Sequence, residues 1–374
     1  MSAAPGAVRH VKYMDLPRQF ADGEVARRIA EEFTRCQFVQ GPQVAEFERR
    51  FARLCGTAHA VGLNSGTDAL FLSLQALGIG PGDEVITAPN SFVATAGAIV
   101  STGATPVFAD VTADYTLDPS LVESAITRRT RAIIPVHLTG TPADMDALGA
   151  VAARSRLALI EDAAQAVGAA LHGRPVGSLG TTGCFSLFPL KNLGVAGDGG
   201  MLTTGSAEVE RTIRLLHNHG LRNRDECEVF GYNSRLDTLQ AIVGNVLLDS
   251  LETVTKARIE HAAFYDEALR DLAPDAVIPP RRPDAKQVYH TYVVQVARRD
   301  RLMPYLLERG IETKTHYPIP IHLQPAAARL GHARGAFPVT EAQSERILSL
   351  PVHEYLTHDD LGYVADAVRA FYRG

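Results

Sequence analysis

The 374-residue sequence predicts an α/β fold, with a large domain built on a mostly parallel sheet and a smaller domain after it. Between about residues 58 and 205, short apolar runs alternate with longer stretches of helical periodicity. Two of these runs, RAIIPVHL (131–138) and LALIEDAA (157–164), are nearly unbroken, as in strands buried on both faces. Beyond about residue 235 strands become fewer, and we place the boundary between the large domain, 1–250, and the small domain, 251–374.

The elements follow in chain order. AHAVGLN (58–64) predicts a strand, and DALFLSLQALGIG (68–80) predicts a helix that ends at glycines and a proline. A strand, a helix and a strand are then expected at the segments 83–89, 91–103 and 105–111. The run from Asp237 to Leu272 predicts one uninterrupted helix that bridges the domains, and VYHTYVVQV (288–296) is the clearest strand after it.

Composition excludes several classes of protein. The net charge is −5 and no Lys/Arg-rich stripe is present, so nucleic acid is not an expected partner. The four cysteines lack CxxC spacing, which argues against a zinc site or a disulfide framework, and no metal is expected. The N-terminus has no signal-peptide core, and no segment approaches ~18 uninterrupted apolar residues. We therefore expect a cytoplasmic protein with no membrane partner.

One lysine lies in an unusual setting, inside FSLFPLKNLGVAGDGG (185–200). Lys191 could extend its ammonium to water from the edge of a buried strand, as lysines beside apolar runs commonly do. Alternatively, a partly dry pocket formed with Phe185, Leu187, Phe188 and Leu190 would lower its pKa and make the amine nucleophilic. The stretch by itself leaves both interpretations open.

NSGTD (64–68) lies where a predicted strand meets a predicted helix. Free N–H groups and the helix dipole would attract a phosphate there, and Gly66 would let it approach the backbone. The simpler interpretation is a helix cap formed by Ser65 and Asp68.

IEDAAQ (160–165) ends a buried strand in two carboxylates. Ligands bind at the strand ends of such sheets, where Asp162 could keep the nitrogen of a pyridine ring protonated. Glu161 and Asp162 could instead cap the next helix. Because side chains alternate along a strand, only one of the two can face a site.

These motifs occur together in a fixed order over nearly the whole chain. With GDEVITAPNSFVATA, NSRLDTLQA and THYPIPIHLQPA, they resemble the DegT/DnrJ/EryC1/StrS family of pyridoxal-phosphate-dependent sugar aminotransferases. The resemblance implies the fold-type-I aminotransferase architecture, with a seven-stranded mostly parallel sheet and a small C-terminal α/β domain. It also implies a homodimer with shared active sites.

The same resemblance assigns cofactor residues. Lys191 matches the lysine that bonds to pyridoxal 5'-phosphate, and Asp162 matches the aspartate beneath its ring nitrogen; these two form the catalytic pair. Gly66, Thr67 and Ser186 match phosphate ligands, and Gln165 matches a residue near the phenolic oxygen of the cofactor. Phe92 matches an aromatic ring stacked on the cofactor. Asn233 matches a residue that reaches the phosphate of the neighbouring subunit's cofactor.

Candidate substrate residues lie in two loops. His316, Tyr317 and His322 belong to the segment that resembles the family's sugar-facing loop, and the alternative is a proline-rich loop with solvated histidines. Arg222 could contact a nucleotide diphosphate, and the alternative is an ordinary basic residue near a helix end.

The resemblance implies transamination between L-glutamate, which becomes 2-oxoglutarate, and a nucleotide-linked keto sugar. The THYPIPIHLQPA loop favours a 3-keto-6-deoxyhexose; a 4-keto sugar or a keto-cyclitol is the alternative acceptor. A non-catalytic cofactor-binding regulator is a more distant alternative, disfavoured by the intact Lys191, Asp162 and Gln165. A nicotinamide-dependent dehydrogenase is disfavoured because GIGPGD (78–83) and GDGG (197–200) fail the GxGxxG pattern.

Overall fold

A computed structural model describes residues 9–373 of the chain. The strands are β1 (His59–Leu63), β2 (Glu84–Thr87), β3 (Thr105–Phe108), β4 (Thr130–Ile134), β5 (Ala158–Asp162), β6 (Ala170–Leu171), β7 (Arg174–Pro175), β8 (Thr182–Ser186), β9 (Gly200–Thr204), β10 (Ala276–Val277), β11 (Ala285–Lys286), β12 (Tyr292–Val296) and β13 (Ile347–Leu350). The helices are α1 (Leu16–Gln19), α2 (Glu24–Arg35), α3 (Pro42–Cys55), α4 (Gly66–Ala76), α5 (Val93–Ser101), α6 (Pro119–Ala125), α7 (Met145–Ser155), α8 (Ala207–Leu216), α9 (Thr238–Leu248), α10 (Leu251–Leu269), α11 (Arg299–Glu308), α12 (Pro338–Arg346) and α13 (His358–Arg373).

A seven-stranded sheet has the order β1-β9-β8-β5-β4-β2-β3. Only β9 runs against the other strands of this sheet, because it pairs antiparallel with both β1 and β8. The apolar run that forms β4 is buried except at Arg131, as expected for a strand covered on both faces. The predicted mostly parallel sheet of seven strands is therefore confirmed.

The prediction of one long helix after Asp237 is wrong. The helical stretch divides at Asp249 and Ser250 into α9 and α10. Asp249 forms an ion pair with Arg50 of α3, against which α9 packs, whereas α10 packs against α13. The break lets α9 and α10 pack against different parts of the structure.

A second, three-stranded sheet has the order β10-β12-β13. Its core contains Tyr265, Tyr292, Leu302 and Val364, each fully buried. The chain's N-terminal segment also packs here, since Val11 donates its N–H to the Gly310 carbonyl at 2.8 Å and is buried in the same core. Within residues 9–373 no helix has both the length and the apolar character that crossing a bilayer requires.

Gly200, the first residue of β9, lies opposite Leu63 at the end of β1. A Cβ atom at position 200 would lie 2.2 Å from the carbonyl oxygen of Ser65, the N-cap of α4. We expect Gly200→Ala to lower the free energy of unfolding by about 1–3 kcal/mol, because β9 must move away from α4. Urea unfolding monitored by circular dichroism measures this change.

Gly149, inside α7, provides the matched control because a Cβ there meets no atom within 4 Å. Gly149→Ala should stabilise the protein by roughly 0.5–1 kcal/mol through helix propensity. Equal unfolding midpoints for Gly200→Ala and the unmodified chain would contradict the close approach.

Candidate active site

A cavity of about 390 Å³ opens at the carboxyl ends of the parallel strands. This is the edge of an α/β sheet where ligands commonly bind. Nine residues singled out from the sequence line this cavity: Gly66, Thr67, Phe92, Asp162, Gln165, Ser186, Lys191, His316 and Tyr317.

One end of the cavity is formed by the N-terminus of α4. Ser65 caps this helix by accepting the Asp68 N–H at 3.0 Å. The N–H groups of Gly66 and Thr67, in the first turn, have no partner within the helix. A Cβ at Gly66 would lie 2.8 Å from the Cβ of Ser186, so only glycine lets the helix start approach this serine. NSGTD is thus both a capped helix and an anion cradle, and the two interpretations left open above are compatible.

Asp162 ends β5 and is buried. Its Oδ2 accepts a hydrogen bond from the Thr95 hydroxyl at 2.7 Å, and its Oδ1 accepts the Ala164 N–H at 3.2 Å. Both partners are neutral, so burial raises the pKa of this carboxyl despite the opposing effects of these bonds and of Lys191. A cationic N–H facing Asp162 would relieve this desolvation.

Glu161 faces the opposite side of β5 and is fully buried. It pairs with His137 Nε2 at 3.1 Å and accepts the N–H groups of Gly177, Leu179 and Gly180. The expected alternation therefore assigns Asp162 to the cavity and Glu161 to a structural network.

Lys191 lies in the turn that follows β8. Its N–H donates to the Phe188 carbonyl at 2.8 Å, and the loop is closed at its base by a bond from the Leu187 N–H to the Gly199 carbonyl, also 2.8 Å. Burial lowers the pKa of its amine to about 8, although Asp162 acts in the opposite direction.

The apolar surroundings of Lys191 differ in part from those expected. Phe185 and Leu187 are fully buried beneath the turn, whereas Phe188 and Leu190 are 46% and 41% exposed and line the cavity. The amine is thus desolvated from one side by the core and from the other by the cavity wall.

The cavity's other end is lined by His316 and Tyr317. Gln165 connects Tyr317 to the sheet: its Nε2 donates to the Tyr317 hydroxyl at 3.3 Å, and its Oε1 accepts the Thr139 N–H at 2.7 Å. The ring of Phe92 is half-exposed and lies 5.5 Å from the Tyr317 ring, centroid to centroid. A flat ligand could therefore contact Phe92 while facing Asp162.

Three residues from the sequence analysis lie outside this cavity. His322 requires a correction, because it is buried against Glu341 at 3.0 Å and packs on Phe337 rather than facing a ligand. Asn233 and Arg222 are exposed on the segment between α8 and α9. The assignment of Asn233 to the neighbouring subunit's phosphate and that of Arg222 to a nucleotide diphosphate stay predictions.

The cavity also has walls that the motifs did not indicate. Tyr13 and Met14 reach it from the N-terminal segment, and His290 and Thr291 reach it from the start of β12. His290 and Thr291 lie within VYHTYVVQV, which predicted a strand but not a place in the site. Thr95, within NSFVATA, was not among the predicted site residues, although its spacing from Phe92 places it on the next turn of α5.

These residues fit pyridoxal 5'-phosphate. The N-terminus of α4 with Ser186 suits the phosphate, and the buried carboxylate of Asp162, which lacks a hydrogen-bonded cation, suits the protonated ring nitrogen. The weakly basic Lys191 amine suits the aldehyde.

We expect the rate at which the apoprotein captures pyridoxal phosphate to rise about tenfold between pH 6 and 7 and to level off above pH 8. The reason is that only the neutral Lys191 amine reacts, and its pKa is about 8. Stopped-flow absorbance measures the rate, and borohydride followed by peptide mapping locates the attachment. Lys191→Ala should abolish covalent capture and should lower the rate of transamination by roughly a hundredfold or more, without unfolding the chain.

Lys256, an exposed residue of α10, is the matched control, and Lys256→Ala should leave capture unchanged. A label on any lysine other than Lys191, or a capture rate that still climbs steeply at pH 10, would contradict this assignment.

Comparisons with known proteins identify the family. Residues 21–369 match the DegT/DnrJ/EryC1/StrS aminotransferase family. The chain is 42% identical to a pleiotropic regulatory protein of Geobacillus stearothermophilus, over 97% of this chain and 99% of the relative. It is 44% identical to dTDP-3-amino-3,4,6-trideoxy-alpha-D-glucose transaminase of Streptomyces venezuelae, over 96% and 95% of the two chains.

Among solved structures, the crystal structure of DesV from S. venezuelae in complex with a ketimine intermediate superposes with a TM-score of 0.95. The two sequences are 44% identical, and the match covers 98% of this chain and 99% of that one. The resemblance drawn from the motifs is thereby confirmed, and this chain belongs to the DegT/DnrJ/EryC1/StrS aminotransferase family.

Proposed function

We propose that this aminotransferase uses pyridoxal 5'-phosphate to move an amino group from L-glutamate to a nucleotide-linked keto sugar, with a 3-keto-6-deoxyhexose as the favoured acceptor. The observation that carries the proposal is the pairing of a weakly basic lysine with a buried aspartate in one cavity. Lys191 and Asp162 line the same space, between a helix N-terminus and a pair of uncharged polar rings.

When bound, the cofactor supplies an aldehyde that takes up amino groups and a ring that accepts an electron pair. Asp162 then holds the proton on the ring nitrogen, and the Thr95 hydroxyl, donating to it at 2.7 Å, favours the ionised carboxylate against the effect of burial. The first turn of α4 and Ser186 bind the phosphate and so set the ligand's orientation. Phe92 covers one face and excludes water.

Lys191 moves the proton that transamination requires. A pKa of about 8 leaves roughly a tenth of the amine neutral at pH 7. The neutral amine can take a proton from the donor's Cα, and the protonated amine can then deliver that proton to a different atom. Its conjugate acid is stabilised by the nearby negative charge of Asp162. The amine therefore serves as base and acid within one turnover.

The acceptor end offers only uncharged polar groups. Burial, with Lys191 and Lys314, lowers the pKa of His316 to about 4, and burial raises the pKa of Tyr317 to about 12. A neutral imidazole and a phenol suit sugar hydroxyls and a keto oxygen. The name of the S. venezuelae relative places its amino group at C3, which supports a 3-keto acceptor here.

We assign the working unit as a homodimer in the cytoplasm. Asn233 is exposed and Phe230 is 99% exposed on the same segment, which supports contact with a second copy. Arg222 on this segment is available to a nucleotide diphosphate in the partner's site. Cys55 and Cys184 are buried free thiols, which supports a reducing compartment.

Acceptor choice is tested by supplying nucleotide-linked 3-keto and 4-keto 6-deoxyhexoses separately with L-glutamate and reading the product's amino position by NMR. We expect amination at C3. His316→Ala should lower kcat/KM for the sugar about tenfold or more and leave the glutamate half-reaction within twofold, because a lost hydrogen bond affects only the acceptor.

Amination at C4 alone would contradict the position but keep the class. Turnover of a free keto-cyclitol with no nucleotide sugar accepted would contradict the class of acceptor. Absence of any turnover with glutamate would favour a regulatory role, as in the name of the Geobacillus relative.

Shared sites are tested by mixing subunits. Asn233→Ala and Lys191→Ala chains should each form nearly inactive dimers, whereas random mixing should restore about a quarter of full activity through mixed dimers with one complete site. Native mass spectrometry confirms mixing. Demonstrated mixed dimers with no restored activity would contradict a site shared through Asn233.

A further inference from the structure

Ser349 lies beneath the loop that carries His316. It is fully buried in β13, paired with Val293 of β12 on one side and bridged to Lys314 on the other. The Ser349 N–H donates to the Lys314 carbonyl at 2.8 Å, and the Lys314 N–H donates to the Ser349 carbonyl at 3.2 Å. These two bonds hold the backbone of Ser349 against Lys314, which precedes His316 by two residues in the chain.

The hydroxyl of Ser349 contacts one particular nitrogen of the His316 ring. Its Oγ lies 2.9 Å from His316 Nδ1. Because His316 lines the cavity, Nε2 is the ring nitrogen that remains for a ligand. Which nitrogen carries the proton is decided by the direction of the bond to Ser349.

Ser349 itself sets that direction. Its side chain is fully buried, and His316 Nδ1 is the one hydrogen-bond partner of its hydroxyl within residues 9–373. Tyr13 lies beside this pair, with its ring 5.9 Å from the His316 ring, but its buried hydroxyl forms no hydrogen bond to either group.

Only one direction satisfies the protons of this pair. If Ser349 donates to His316 Nδ1, its buried hydroxyl proton has an acceptor. In the reverse direction, His316 Nδ1–H would donate to Ser349, and the Ser349 proton would remain buried without an acceptor among residues 9–373.

We propose that Ser349 is a positioning residue that fixes His316 in its Nε2-protonated form, so that Nε2–H donates to an oxygen of the acceptor sugar. The inference rests on the proposed function in assigning the acceptor to His316. It predicts that the enzyme prefers an acceptor whose oxygen at this point is a hydrogen-bond acceptor, as a keto oxygen is.

The electrostatics of the ring agree with this assignment. Burial, Lys191 and Lys314 disfavour a charged His316, so the ring carries a single proton near pH 7. Ser349 then determines where that proton lies. A ring free to exchange its proton between the two nitrogens would present the donor only part of the time.

The test uses the full-length holoenzyme labelled with ¹⁵N-histidine. Long-range ¹H–¹⁵N NMR reports the protonated nitrogen, and the His316→Gln spectrum identifies the His316 signals. We expect Nε2–H in the unmodified enzyme and a mixture of both forms in Ser349→Ala. Ser344→Ala is the matched control, because its buried hydroxyl donates to the Glu341 carbonyl at 2.8 Å and forms no hydrogen bond to a histidine of residues 9–373.

Kinetics give the second readout. Ser349→Ala should lower kcat/KM for the keto sugar about threefold to tenfold and leave the glutamate half-reaction unchanged, and Ser349→Thr should restore most of the loss. Ser349→Cys replaces the hydroxyl with a thiol, which is a weaker donor, so it tests the same bond if Ser349→Ala fails to fold. It should also produce a mixture of the two ring forms.

Nδ1–H in the unmodified enzyme, or an unchanged ring in both Ser349→Ala and Ser349→Cys, would overturn the inference. A changed ring with unchanged sugar kinetics would overturn the role in the reaction. If no keto sugar is turned over, the proposed function fails, whereas the NMR result still decides the state of His316.

Discussion

The orientation of Asp162 depends on the carboxylate next to it. Glu161 accepts hydrogen bonds at 2.7–3.1 Å from four donors: His137 Nε2 and the N–H groups of Gly177, Leu179 and Gly180. His137 Nδ1 accepts the Ala143 N–H at 3.0 Å, so Nε2 carries the ring's proton and donates it to Glu161. With Glu161 held on one face of β5, the alternation of the strand directs Asp162 into the cavity.

Burial then acts on both charges of the cavity in opposite directions. It raises the pKa of Asp162 and lowers the pKa of Lys191, because each charged form loses hydration. Their mutual attraction opposes both shifts. The result is an acid that a cationic ring nitrogen can hold ionised and an amine that is partly neutral near pH 7, which is the combination that transamination needs.

The end of the cavity that we propose for the acceptor follows another principle, because its polar groups are uncharged. His316 and Tyr317 are linked through hydrogen bonds to Ser349 and Gln165, which lie on different sheets and loops. The N-terminal segment closes this end with Tyr13, held by the bond from its N–H to Glu312 at 2.8 Å. Contacts at this end of the cavity therefore depend on three parts of the chain that are distant in sequence.

The sequence alone predicted the mostly parallel sheet and most of its elements, and the ordered motifs that resemble the family supplied the candidate cofactor residues. Hydrophobic periodicity and short polar motifs are local signals, and several of these candidates lie near the end of a strand or the start of a helix. Lys191, Asp162 and Gly66 all belong to such junctions. Their convergence follows from the rule that parallel strands end at one edge of a sheet.

Tertiary structure decided what local patterns could not encode. The buried pairing of His322 with Glu341 depends on how α12 packs, and the pairing of Asp249 with Arg50 joins the break between α9 and α10 to α3. The approach of Tyr13 to His316 joins residues about three hundred positions apart. Such contacts arise from the packing of whole elements, so neither periodicity nor the spacing of motifs carries a signal for them.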